Sequence, residues 1–103
     1  MYIYNVTTNI DEALHDEWLH WMREEHIPEI LATGKFSNAR ILRVLVEEEM
    51  GGITYSVQYI ADRRDMLEKY YKEDAAAFDE KARQRFGDHM VVFRTELQVV
   101  SEH

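Results

Sequence analysis

The sequence predicts an α+β fold, a four-stranded antiparallel sheet with two helices on one face. Three observations carry that prediction. Segments alternating with period two and segments spaced at helical intervals follow one another in the order βαββαβ. The single proline and all four glycines fall where the pattern needs a break or a turn. Some strand positions are apolar enough to lie under helices, whereas their alternates are mixed.

Tyr2 to Ile10 is rich in β-branched and aromatic residues and reads as the first strand. Asp11 is placed as an N-cap, with Glu12 in the first helical turn. Leu14, Trp18, Trp21, Met22 and Glu25 follow helical spacing. Pro28 predicts a kink or restart at His26-Ile27-Pro28, because a residue before proline avoids the α region. Gly34 is placed as the C-cap.

Arg40 to Glu48 reads as strand two and Ile53 to Ile60 as strand three. The turn Met50-Gly51-Gly52 joins them as a hairpin. Asp62 is placed as the cap of a second helix running to about Phe86, ended by Gly87. Met90 to Val100 is strand four. This order is the ferredoxin-like split arrangement, and right-handed crossovers put both helices on one side.

The bulk composition narrows the role. A chain of 103 residues with 46% hydrophobic content fits one domain, residues 1–103, with a modest core. It contains no cysteine, which removes disulfides, thiol catalysis and thiolate metal sites. The start of the chain lacks the pattern of a secretion signal, and no apolar run is long enough to span a membrane. A cytoplasmic protein without membrane contact is expected. The net charge of −8 argues against a nucleic-acid partner. No phosphate loop, Ser-His-Asp set or zinc motif is present, so neither a metal nor another cofactor is expected.

Alternation assigns Tyr4, Val6, Leu42, Val44, Val46, Ile53, Tyr55, Val57, Tyr59, Val91, Phe93, Leu97 and Val99 to the face under the helices. The open face then carries Ile3, Ile41, Leu45, Val92 and Val100 among Asn5, Arg43, Gln58, Arg94 and Glu96. That mixture predicts a homodimer closing over the open face, the assembly of a dimeric α/β barrel. Two readings of its polar residues stand side by side. They line a ligand cavity, or Arg43, Arg94, Glu47 and Glu96 make cross-strand ion pairs.

Two stretches also carry a resemblance. They are Tyr4-Asn5-Val6-Thr7-Thr8-Asn9-Ile10-Asp11, and the run from His15 through the tryptophan pair to His26-Ile27-Pro28 and Thr33-Gly34-Lys35-Phe36. With them the chain resembles a small bacterial family of unknown function placed among the dimeric α/β barrel proteins. The resemblance spans nearly the whole chain and implies a ferredoxin-like homodimer, with no known activity. His26 and Pro28 also match a His-x-Pro near the end of helix one in the ethyl tert-butyl ether degradation family and cofactor-free monooxygenases. The resemblance implies that His26 borders a cavity.

His26 is the candidate catalytic residue, since imidazole titrates near neutrality and works as acid or base. A packing role in the broken helix is the alternative. Trp18 and Trp21 are candidate ligand walls, although aromatics at helical spacing are usually core. Asp16, His20 and Glu24 stack on the helix side opposite the tryptophans and are expected to face water. The expected function is binding of a small organic ligand in a cavity on the open face, through Asn5, Arg43, Gln58, Arg94, Glu96, Trp18 and Trp21. The alternatives are a cofactor-independent enzyme, monooxygenase-like or isomerase-like, with His26 as base, and a purely structural module.

Overall fold

A computed structural model describes residues 1–46 and 51–103. The elements are β1 (Tyr2–Ile10), a 3-10 turn (Glu12–Leu14), α1 (His15–Trp21), a π turn (Met22–His26), α2 (Ile27–Leu31), β2 (Asn38–Arg43), β3 (Ile53–Ala61), α3 (Arg64–Glu73), α4 (Ala75–Phe86), a 3-10 turn (Gly87–His89) and β4 (Met90–Gln98). The strands form one antiparallel sheet in the order β2-β3-β1-β4. The expected βαββαβ plan is therefore present, with each helical region divided in two. Glu47 and Met50, which entered the strand-two and turn readings, lie outside the described residues.

Aromatic residues fill the space between sheet and helices. Tyr4, Tyr59, Trp18, Trp21, Tyr70, Phe36 and Phe86 are all buried there with Ile10, Val57 and Leu67. Their rings meet mostly tilted or edge-on, for example Tyr4 and Tyr70 at 5.5 Å and Trp21 and Phe86 at 5.2 Å. Such pairs add directional attraction to the area they bury.

The registers correct two of the four face assignments. Tyr4, Val6 and Thr8 of β1 stand opposite Tyr59, Val57 and Tyr55 of β3, and this set faces the helices as expected. In β4, however, Val92, Arg94 and Glu96 stand opposite Thr8, Val6 and Tyr4. They belong to the helix side. Val91, Phe93 and Leu97 lie on the open face and are 57%, 66% and 41% exposed. In β2, Ile41 and Arg43 stand opposite Val57 and Tyr55, so they also face the helix side, and Leu42 is open. The physical reason is position in the sheet. The rule that apolar means covered holds for β1 and β3, which lie in the middle. The edge strands β2 and β4 do not obey it.

The expected caps are also revised. Asp11 makes no side-chain cap. Its carboxylate accepts a hydrogen bond from His89 Nδ1 at 2.9 Å, beside a backbone bond from Asp11 N to His89 O. Arg63, not Asp62, precedes α3. The second helical region breaks at Asp74, which Lys35 Nζ holds at 2.7 Å.

Ile27 keeps α-helical angles, φ −62° and ψ −48°, despite preceding proline. The π turn accommodates Pro28. Ile27 N–H reaches back five residues to Met22 O, and the wider ring relieves the crowding a proline creates in an α-helix.

Gly52 sits at φ +81°, where a side chain's Cβ would strike the Asn9 amide. That amide is committed to Thr54 Oγ1 at 3.1 Å. Gly52→Ala is expected to lower stability by about 1–2 kcal/mol, read from the urea unfolding midpoint.

Candidate functional site

A cavity of about 350 Å³ lies between the sheet and the helices. That is at the small end of the range for sites holding one organic molecule. Its floor is the helix-facing side of the sheet: Tyr4, Val6 and Thr8 of β1, Tyr59 of β3, and Met90, Val92 and Arg94 of β4. The first helical region contributes Trp18, Trp21, Met22, His26 and Ile30. Asp79 and Arg83 of α4 and Arg94 of β4 are the lining side chains that solvent reaches freely. The mouth therefore opens between α4 and the edge strand β4.

The π turn explains how one helical region lines the cavity along its whole length. Twelve residues separate Trp18 from Ile30. In an uninterrupted α-helix that interval leaves the two side chains about 120° out of phase. One extra residue in a turn removes about 100° of the mismatch. Trp18, Met22, His26 and Ile30 consequently share the wall.

His26 is 8% exposed, and its Nδ1 has no hydrogen-bond partner among the described residues. Its ring stacks on Trp21 at 4.3 Å and meets Phe78 edge-on at 5.8 Å. Burial pushes its pKa down to about 4, with Glu29 opposing and Lys81 assisting. At neutral pH it is an uncharged imidazole presenting unused hydrogen-bonding capacity.

A second polar group gathers around Asp79. Burial raises the hydroxyl pKa values of Tyr4, Tyr59 and Tyr70, and the Asp79 carboxylate raises all three further. Arg94 Nη2 pairs with Asp79 Oδ1 at 3.0 Å and tempers the effect on Tyr4. Arg83 Nε donates to Glu80 Oε2 at 2.9 Å. The hydroxyls of Tyr59 and Tyr70 have aromatic neighbours but no hydrogen bond among the described residues.

The cavity thus joins His26, Trp18, Trp21 and Arg94 from the expected set. Both tryptophans are core and wall at once, at 2% and 6% exposure. Asn5 and Gln58 lie on the opposite side of the sheet. There Arg40 Nε donates to Gln58 Oε1 at 2.9 Å, Gln58 Nε2 to Ser56 Oγ at 3.4 Å, Ser56 Oγ to Asn5 Oδ1 at 2.5 Å, and Asn5 Nδ2 to Thr7 Oγ1 at 3.1 Å. This ladder satisfies itself across three strands. Arg43 is exposed at the end of β2. Glu96 accepts from the Tyr71 hydroxyl at 2.9 Å and pairs with Arg64 at 3.6 Å. The cavity of the single chain is therefore on the helix side, whereas the expected cavity was one on the open face.

Sequence reasoning did not single out Tyr4, Tyr59, Asp79 or Arg83. Asp79 and Arg83 are four apart on α4, and that i, i+4 spacing was the available signal. The Asp16, His20 and Glu24 stripe is exposed. No group of three or more His, Asp or Glu side chains able to hold a metal occurs among the described residues. No helix there is long and apolar enough to cross a membrane.

Comparison with known proteins supports the fold. A family model described as a domain of unknown function, DUF4286, matches residues 1–100. No curated protein matches. An ethyl tert-butyl ether d (EthD) family protein of Bacillus halodurans superposes with a TM-score of 0.67 at 14% identity, covering 95% of this chain and 100% of that one. A dimeric ferredoxin-like protein from an uncultured marine organism has a TM-score of 0.62 at 14% identity, covering 99% and 98%. At such identities the likeness shows a shared ferredoxin-like fold and nothing about activity.

Proposed function

Since this chain belongs to DUF4286, a family of unknown function, its role has to come from its own geometry, and we propose that it is a homodimeric protein binding one small organic molecule in the helix-side cavity. The observation that carries the reading is the cavity itself, large enough for one small organic molecule, where His26, Trp18 and Trp21 meet the Tyr59 and Tyr70 hydroxyls. Those hydroxyls have no hydrogen bond among the described residues, and a ligand oxygen supplies the missing partner.

The homodimer is supported separately. Val91, Phe93 and Leu97 form an exposed apolar row on the open face, beside the self-satisfied ladder from Arg40 to Thr7. A second copy covers the apolar row without stranding the polar one. The dimeric neighbour has the same fold. The acidic chain is read as having no nucleic-acid partner.

A second reading makes the site a cofactor-independent enzyme with His26 as base. The presence of His26 and Arg94 in the lining of one cavity favours it. Against it, an imidazole with a pKa near 4 is a weak proton acceptor at neutral pH. Binding is therefore the primary reading.

Thermal melting against a library of small organic compounds tests it. A compound at about 100 times its Kd stabilises by about 2.7 kcal/mol. Ala82, on the cavity wall, is the control position. Ala82→Trp fills the space and is expected to abolish the melting shift while the sheet remains folded by circular dichroism. Retention of full shifts in that variant would place the ligand elsewhere.

A further inference from the structure

The geometry points to a narrower ligand class: an uncharged aromatic molecule bearing hydroxyl or carbonyl oxygens, rather than a carboxylate or phosphate. This inference rests on the cavity reading above and concerns what the cavity selects.

The first argument is the state of the cations. Arg83 and Arg94 are the only lysine or arginine side chains among the described residues that line the cavity. Arg94 is held by Asp79 at 3.0 Å and Arg83 by Glu80 at 2.9 Å. The four charges sum to zero, so an anion entering the cavity meets no unbalanced positive charge. An entering carboxylate would compete with Asp79 and Glu80 for guanidiniums already neutralised, and would gain correspondingly less. The whole chain's charge of −8 adds a further repulsion.

The second argument is what remains unused. Among the described lining residues, the His26 imidazole and the Thr8, Tyr59 and Tyr70 hydroxyls have no hydrogen bond within the protein. All four are neutral at pH 7. Neutral donors and acceptors match hydroxyl and carbonyl oxygens. They do not compensate a full charge taken out of water.

The third argument is shape. Trp18, Trp21, Tyr4, Tyr59 and Tyr70 line the space. Flat rings are best met by another flat ring, stacked or edge-on.

Three probes of nearly equal size separate the possibilities by calorimetric titration of the full chain at pH 7. They are 4-hydroxyacetophenone, which is neutral with two oxygens; 4-hydroxybenzoate, in which a carboxylate replaces the acetyl group; and 4-isopropyltoluene, which has no oxygen. The ketone is expected to bind at least about tenfold more tightly than either of the others. Asp79→Asn, which leaves Arg94 without its partner, is expected to raise the 4-hydroxybenzoate affinity severalfold. Equal or tighter binding of 4-hydroxybenzoate by the unaltered protein would overturn the inference while leaving a ligand cavity in place. Equal binding of 4-isopropyltoluene would overturn the requirement for oxygens in the same way. Binding of none of the three would overturn the cavity reading together with this one.

Discussion

Phe93→Glu is expected to turn a dimer into a monomer. Phe93 is 66% exposed at the middle of the apolar row on β4, between Val91 and Leu97. An exposed side chain of this kind adds little to the fold of one copy, so the variant should unfold within about 0.5 kcal/mol of the parent monomer. In a dimer the same ring lies at the centre of the buried patch, where aromatic anchors carry much of the association energy. Glutamate there loses the apolar contact and puts a charge into the interface without a partner. Association should weaken on the order of 100-fold or more. Light scattering at micromolar concentration checks this, with Lys72→Glu on the exposed side of α3 as a charge-change control. A Phe93→Glu protein that remains dimeric would mean that the copies do not meet through this face.

The second large effect is on stability as a function of pH. His26 has a folded pKa of about 4, against the ordinary 6.5 it recovers on unfolding. Between those values the unfolded chain takes up a proton that the folded chain refuses. Its contribution is therefore fully present above pH 6.5, declines as pH falls through that window, and levels off below about pH 4. Each pKa unit corresponds to about 1.36 kcal/mol, so the loss attributable to this one ring is about 3 kcal/mol. Urea unfolding at pH 7 and pH 4.5 measures it. In His26→Gln, which has no titrating ring, the decline across this window should be smaller by roughly 2–3 kcal/mol. Parallel declines in the two proteins would show that the ring is hydrated rather than buried.

The fold was legible in the sequence because its central strands obey simple rules. β1 and β3 are flanked by strands on both sides and covered by helices on one face, so alternation in Tyr4-Asn5-Val6 and Tyr55-Ser56-Val57 reports the covered side directly. β2 and β4 were misread for the converse reason. Phe93 and Leu97 are apolar without being covered, and Arg94 lies on the helix side because it guards an opening. The cavity was half legible. His26 and the two tryptophans stood out through residue type and the nearby proline. Tyr4, Tyr59, Tyr70 and Asp79 come from four separate elements and look like ordinary core or surface when taken one at a time. Only strand register and helix packing bring them together. The length of the second helical region misled for a local reason, since nothing in the run Glu73-Asp74-Ala75 is a strong helix breaker.

The π turn makes the cavity depend on a count of residues as well as on their chemistry. Arg23, Glu24 and Glu25 lie inside it and face water, so their identities are free to change with little effect on the wall. Their number is not free. Loss of any one of the three would let the segment close into an ordinary α-helix, which is the easier conformation. The tryptophans would stay in place while His26 and Ile30 swung about 100° away from them. Among homologous chains, a one-residue gap in this stretch would therefore separate proteins that keep the aromatic core from proteins that keep the site.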